Sequence, residues 1–118
     1  MSASTYESLG PGTSSWDRVD VTMEHISQGV RREPRSCPIA LALQDAGWSE
    51  ARVFSASVQL DPKTPQYDMS DRLFRRECAY RLGKRLRPFT LVIDHWRRMV
   101  LLAEEVDGAI QAPGTTRA

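Results

Sequence analysis

Cys37 and His25 are the residues of this sequence best placed to do covalent chemistry. Cys37 directly precedes Pro38 at an expected helix start, where backbone N–H groups and the helix dipole stabilise a thiolate. His25 lies upstream across a short loop, and a cysteine–histidine pair of this kind makes a nucleophile. A plainer role competes with this one: Cys37 caps the helix and packs as a small hydrophobe, while His25 flanks a turn. No glycine-rich nucleophile elbow or oxyanion loop surrounds Cys37, so the plainer role is favoured. No catalytic site is assigned, and Cys37 and His25 stand as the candidate pair for a small thiol enzyme.

Metal and phosphate chemistry have less to stand on. His25, Cys37, Cys78 and His95 are the possible soft ligands, yet they form no CxxC or HxxxH pair of the kind structural zinc sites carry. Gly10-Pro11-Gly12 is not followed by the Lys-Ser/Thr of a phosphate loop. No metal and no cofactor is expected.

The strongest lead is electrostatic. The net charge of +1 hides a polarised chain: from Arg72 to Arg87 there are seven basic residues against one acid, Glu77, so the remainder is net acidic. Arg72, Arg75 and Arg76 fall on one side of an expected helix with Tyr80 close by, and Lys84, Arg85 and Arg87 follow its end. Guanidinium groups suit bidentate contacts to carboxylate or phosphate, and Tyr80 could stack on a base. Internal pairing with acids elsewhere is the competing explanation. Among external partners, an acidic protein surface is favoured over nucleic acid, because no helix-turn-helix or RNA-binding signature accompanies the charges.

The elements that must position these residues follow from patterning. Residues 1–15 and 111–118 are rich in Ser, Thr and Gly and read as disordered tails around one domain over residues 16–110. Val19, Val21 and Met23 alternate on a first strand. A short helical turn over Glu24–Gln28 stops at Gly29. Pro38 opens an apolar helix that Gly47 closes in the left-handed conformation. Phe54, Ala56, Val58 and Leu60 alternate along a second strand, Arg52–Leu60. Asp68 or Ser70 caps a helix ending at Gly83, with Phe74, Cys78 and Leu82 as its core stripe. Phe89–Ile93 makes a third strand, and the spacing of Met99, Val100, Ala103, Val106 and Ile110 predicts a last helix, although Arg97-Arg98 at its start opposes the helix dipole. The expected fold is α+β, a small three-stranded sheet with helices packed on one face, in the order β-α-α-β-α-β-α.

Three patches carry a resemblance: Glu24-His25-Ile26 with Gly29, then Cys37-Pro38-Ile39-Ala40-Leu41-Ala42-Leu43, then Gly83-Lys84 followed by Pro88-Phe89. Together, across about residues 17–93, they resemble a group of small proteins of bacteriophages, prophages and actinobacterial genomes to which no activity is attached. The chain departs from that group after Ile93. The resemblance implies life inside a bacterial host and an accessory, regulatory or anti-defence role.

No apolar run approaches the length of a membrane span, no secretory signal opens the chain, and two cysteines are too few for a disulfide scaffold, so a cytoplasmic location is expected. The combined expectation is a non-enzymatic binding protein acting through a basic helix, with weak nucleic-acid binding or Cys37–His25 catalysis as the alternatives.

Overall fold

The computed structural model describes residues 16–106. The chain runs through β1 (Trp16–Val21), α1 (Met23–Gln28), α2 (Pro38–Asp45), β2 (Arg52–Val53), β3 (Ser57–Gln59), β4 (Tyr67–Met69), α3 (Asp71–Arg81), β5 (Phe89–Asp94) and β6 (Met99–Leu102). The fold is α+β, but its sheet has six strands in the order β1-β5-β6-β4-β3-β2, and not the expected three. Pairing is antiparallel throughout except for β4 beside β6. Helix α2 packs against both β1 and β2, the two edges of that sheet. One helix can touch both edges only if the sheet curls around it, so the sheet forms a half-barrel with α2 laid along its open seam.

Three local corrections explain the larger sheet. The expected strand Arg52–Leu60 is a hairpin: Arg52 pairs with Gln59 and Val53 with Val58, and the Phe54 N–H donates to the Ser57 carbonyl at 2.8 Å. Alternation of apolar residues persists through the reversal, and Ser55-Ala56 lacks the Asn-Gly or Gly-X chemistry that normally marks a two-residue turn. Strand β4 has three residues, too few for a period to show. The expected last helix is instead strand β6, whose apolar run Met99–Leu102 pairs with β5, followed by a helical turn over residues 103–106. A four-residue apolar run fits a buried strand as well as a helix, and the dipole conflict at Arg97-Arg98 pointed to the strand. Ile110 and Gly108, together with both tails, lie outside the described residues.

The core is continuous. Val19 and Val21 of β1, Ile39 and Leu43 of α2, Leu73 of α3 and Leu91 and Ile93 of β5 belong to one buried cluster. Of the expected α3 stripe, Phe74 packs against the core, but the buried residues are Leu73, Glu77 and Tyr80, and Leu82 is 79% exposed. An acid in the middle of that stripe disguised it.

Helices α2 and α3 both end in Schellman motifs. Gly47 and Gly83 hold φ of 119° and 103°, and the Trp48 and Lys84 N–H groups reach back to the Leu43 and Ala79 carbonyls at 3.0 Å. Gly29 serves a different need. Its φ is ordinary, but a Cβ there would lie 2.5 Å from Pro38 Cδ, so the close approach of α1 to the start of α2 requires a residue without a side chain. No helix among the described residues is long and apolar enough to cross a membrane.

Candidate functional site

Helix α3 starts where Ser70 Oγ accepts the Leu73 N–H, and it carries the basic residues outward. They do not act as one group. Arg72 is ion-paired with Glu104, and Arg76 Nη2 lies 4.0 Å from the same carboxylate with its guanidinium 5.2 Å from the Phe89 ring centre. Glu104 sits on the turn after β6, which Glu105 fastens to α3 by accepting from Ser70 Oγ at 2.6 Å. Internal pairing therefore absorbs Arg72 and part of Arg76. Arg75 is exposed. Tyr80 is buried under the Arg31 guanidinium, 4.6 Å from its ring centre, so it offers no face for a base to stack on.

What remains is a surface at the C-terminal end of α3. Lys84, Arg85 and Arg87 are exposed and have no ion pair among the described residues. Arg31 brings a second basic segment to them: its Nε donates to the Tyr80 carbonyl at 2.7 Å and its Nη2 to the Lys84 carbonyl at 3.3 Å. A cation at the last carbonyls of a helix complements its dipole. Arg31, distant in sequence, thus joins Lys84, Arg85 and Arg87, and the exposed Arg32 follows it in the chain. Exposed apolar residues interrupt the charge, Leu82 at 79% and Val30 at 50%. Beyond Arg87, a shallow groove of about 340 Å³ is lined by Val21, Met23, Pro88 and Phe89 along with Asp20, Thr22 and Thr90. Sequence reasoning drew the basic group from Arg72–Arg87 alone and missed this convergence, which depends on tertiary contact.

The structure separates Cys37 from His25. Cys37 is the N-cap of α2 and 2% exposed. Burial pushes its thiol up to about 11, the nearby Glu77 carboxylate pushes the same way, and the backbone N–H groups of Ala40 and Ile39 oppose them only in part. His25 is committed elsewhere. The Thr22 N–H donates to its Nδ1 at 3.0 Å, leaving the proton on Nε2, which donates to Asp45 Oδ2 at 2.6 Å. Asp45 ends α2 and Cys37 begins it, and eight helical residues span about 12 Å. His25 and Thr22 in fact form a capping box for α1.

Glu77 lies beneath Cys37, 2% exposed. Burial raises its carboxyl above the usual value of 4.5, and an Arg81 hydrogen bond at 3.3 Å counteracts part of that rise. Cys37 and Cys78 are both free thiols.

A polar chain that sequence reasoning did not identify crosses the other end of the sheet. The Tyr67 hydroxyl donates to His95 Nδ1 at 2.8 Å, and His95 Nε2 donates to Asp17 Oδ2 at 2.8 Å. It links β4, the β5–β6 turn and β1. Carboxylate, imidazole and hydroxyl are connected as in a proton relay, but the phenol ends inside the protein, and the visible consequence is that three strands are pinned together. One signal was legible: alternation in β1 puts Asp17 on the same face as Val19 and Val21, an acid aimed at the core. Among the described residues, no three His, Cys, Asp or Glu side chains converge as a metal site requires, and His25, Cys37, Cys78 and His95 stay apart.

Compared with known protein families, curated proteins and solved structures, the chain matches none, and its own geometry carries the functional argument.

Proposed function

We propose that this is a non-enzymatic binding protein whose partner is an acidic protein surface, gripped by Arg31-Arg32 and Lys84, Arg85 and Arg87 around the exposed Leu82. The observation that supports it is the meeting of two basic segments at which Lys84, Arg85 and Arg87 have no ion pair among the described residues. Exposed Leu82 and Val30, and the apolar floor beyond Arg87, favour a folded protein over a phosphate backbone, since interfaces bury apolar anchors inside a polar rim. An accessory or regulatory role in a bacterial cell fits such a surface and follows the resemblance to phage and prophage proteins. The Cys37–His25 enzyme loses ground, because a buried thiol at about 11 without a base is a poor nucleophile.

The test is affinity capture from bacterial lysate with the wild-type chain, a Lys84→Glu/Arg85→Glu/Arg87→Glu variant and Arg72→Ala. A nuclease-resistant protein partner should be held by the wild type and by Arg72→Ala and lost with the triple variant. Capture unchanged by the charge reversal, or abolished by nuclease, sinks the proposal.

A further inference from the structure

All three tryptophans of the chain gather at the end of the sheet opposite the basic surface. Trp96 stands in the turn joining β5 to β6, Trp16 is paired in register with Asp94 at the mouth of that turn, and the Trp48 ring lies 6.2 Å from His95. They differ in exposure. Trp48 is partly buried against the core and Trp16 is half-buried, but Trp96 is 81% exposed, an unusual placement for the largest apolar side chain.

The turn presenting Trp96 is held rigid from both sides. Asp94 Oδ1 accepts the N–H groups of Trp96 and Arg97, each at 3.0 Å, and His95 is anchored inward through Tyr67 and Asp17. Arg98 completes the reversal at φ 56°, left-handed backbone that a non-glycine residue adopts at a cost. Arg97 and Arg98, the two residues after Trp96, are exposed. Arg97 is 3.8 Å from Asp94 with most of its side chain in solvent, and Arg98 has no ion pair among the described residues. One exposed acid, Asp68, faces them from across Met99 in the register row.

We infer that this turn is a binding site for unpaired nucleotides, with Trp96 as the stacking platform, Trp16 as a second aromatic beside it, and Arg97 and Arg98 as phosphate contacts. The complement of one flat π face flanked by two guanidiniums is a planar π system joined to an anion. A base and its phosphate supply both in one unit, and every base has a face to offer. A protein partner would have to bring an apolar pocket for the indole and separate carboxylates for the arginines, whereas a nucleotide carries its planar face and its anion together, and a purely apolar partner would strand the two charges. The held turn matters because its backbone has little conformational freedom left to lose when a base settles on Trp96. The site lies one strand length, about 17–20 Å, from Pro88 and Phe89 at the other end of β5, so it is independent of the acidic-partner surface.

The experiment is fluorescence anisotropy of labelled dT and U oligonucleotides of about 20 residues at low and near-physiological salt, each arm reporting one sugar. Both oligonucleotides, or either, should bind, more weakly as salt rises. Trp96→Ala should weaken binding roughly 5- to 150-fold, the range expected for one lost base–aromatic stack, while Trp96→Phe retains most of it. Arg97→Ala/Arg98→Ala should weaken binding and flatten its salt dependence. Trp96 packs on nothing that folding needs, and a circular dichroism melt will show each variant folded. The inference is overturned if neither oligonucleotide binds, if Trp96→Ala binds as the wild type does, or if the Lys84→Glu/Arg85→Glu/Arg87→Glu variant alone abolishes binding. It is equally overturned if the turn binds anionic lipid vesicles through Trp96 and no oligonucleotide.

Discussion

Cys37 gives the sharpest chemical prediction. Its thiol is pushed from the ordinary 9.0 to about 11 by burial and by the Glu77 carboxylate beside it. At neutral pH the thiolate fraction falls with the difference between the two values, so Cys37 holds roughly one hundredth of the thiolate of an ordinary cysteine. Burial adds a second barrier, since a side chain 2% exposed must wait for a local opening before any reagent reaches it. Treatment of the native protein with iodoacetamide at neutral pH, followed by peptide mass spectrometry, should therefore show Cys37 modified at least about 100-fold more slowly than in the urea-unfolded chain. Cys78, which is only half-buried, serves as an internal reference and should react first. Raising the pH towards 9 should still leave most of Cys37 as the unreactive thiol. Alkylation of native Cys37 within a few-fold of the unfolded rate would refute the burial argument and restore the thiol-enzyme alternative.

Other perturbations follow from the same structure. Gly29→Ala should destabilise the fold by about 1–3 kcal/mol in urea titration, because its Cβ would overlap the Pro38 ring. Gly83→Ala meets nothing in space, so its cost should be limited to the backbone, about 1–2 kcal/mol. Glu77 binds its proton more tightly folded than unfolded, so its contribution to stability is greatest below pH 4.5 and is lost as pH rises through the raised folded value. Glu77→Gln should accordingly raise Tm at pH 7 to 8 and give no gain at pH 4; equal shifts at both would show that its burial is not what sets the pH dependence. Tyr67→Phe removes one donor to His95 and should cost about 1–3 kcal/mol by the same titration, a loss under 0.3 showing that the Asp17–His95–Tyr67 chain does not hold the strands.

Helix starts and stops were the most legible part of the fold. Pro38, Gly47, Ser70 and Gly83 act in the structure as their local chemistry dictates, because capping depends on a few neighbouring atoms. Strands beyond the first were harder. A hairpin without turn glycines preserves the alternation of a single strand, and Met99–Leu102 satisfies two periods at once. The α3 stripe was misjudged because Glu77, held by Arg81, occupies a position that apolar patterning assigns to a hydrophobe. For the sites, Lys84, Arg85 and Arg87 were visible as charges in sequence. Their union with Arg31, the withdrawal of Arg72 by Glu104 and the placing of Trp16, Trp48 and Trp96 at one end of the sheet were not, since each joins segments tens of residues apart.

The curled sheet also fixes the order in which the chain can assemble. Hairpins β2–β3 and β5–β6 are local, but among the described residues β1 has no sheet neighbour except β5, and its side-chain bonds to β5 and to the turn after it span 70 and 78 residues. Closing so long a loop costs entropy before any contact is gained, so the first strand in sequence is expected to be the last to find its place. Until then α2 covers a half-built wall, and the six-residue backbone of β1 is an open edge. Val19→Ala should therefore speed unfolding and leave the folding rate nearly unchanged in stopped-flow kinetics, whereas an equal slowing of folding would put β1 in the nucleus. A protein built this way is vulnerable while it waits, and the charged Asp17, Arg18 and Asp20 that punctuate β1 are what keep that waiting strand from pairing with a neighbouring molecule.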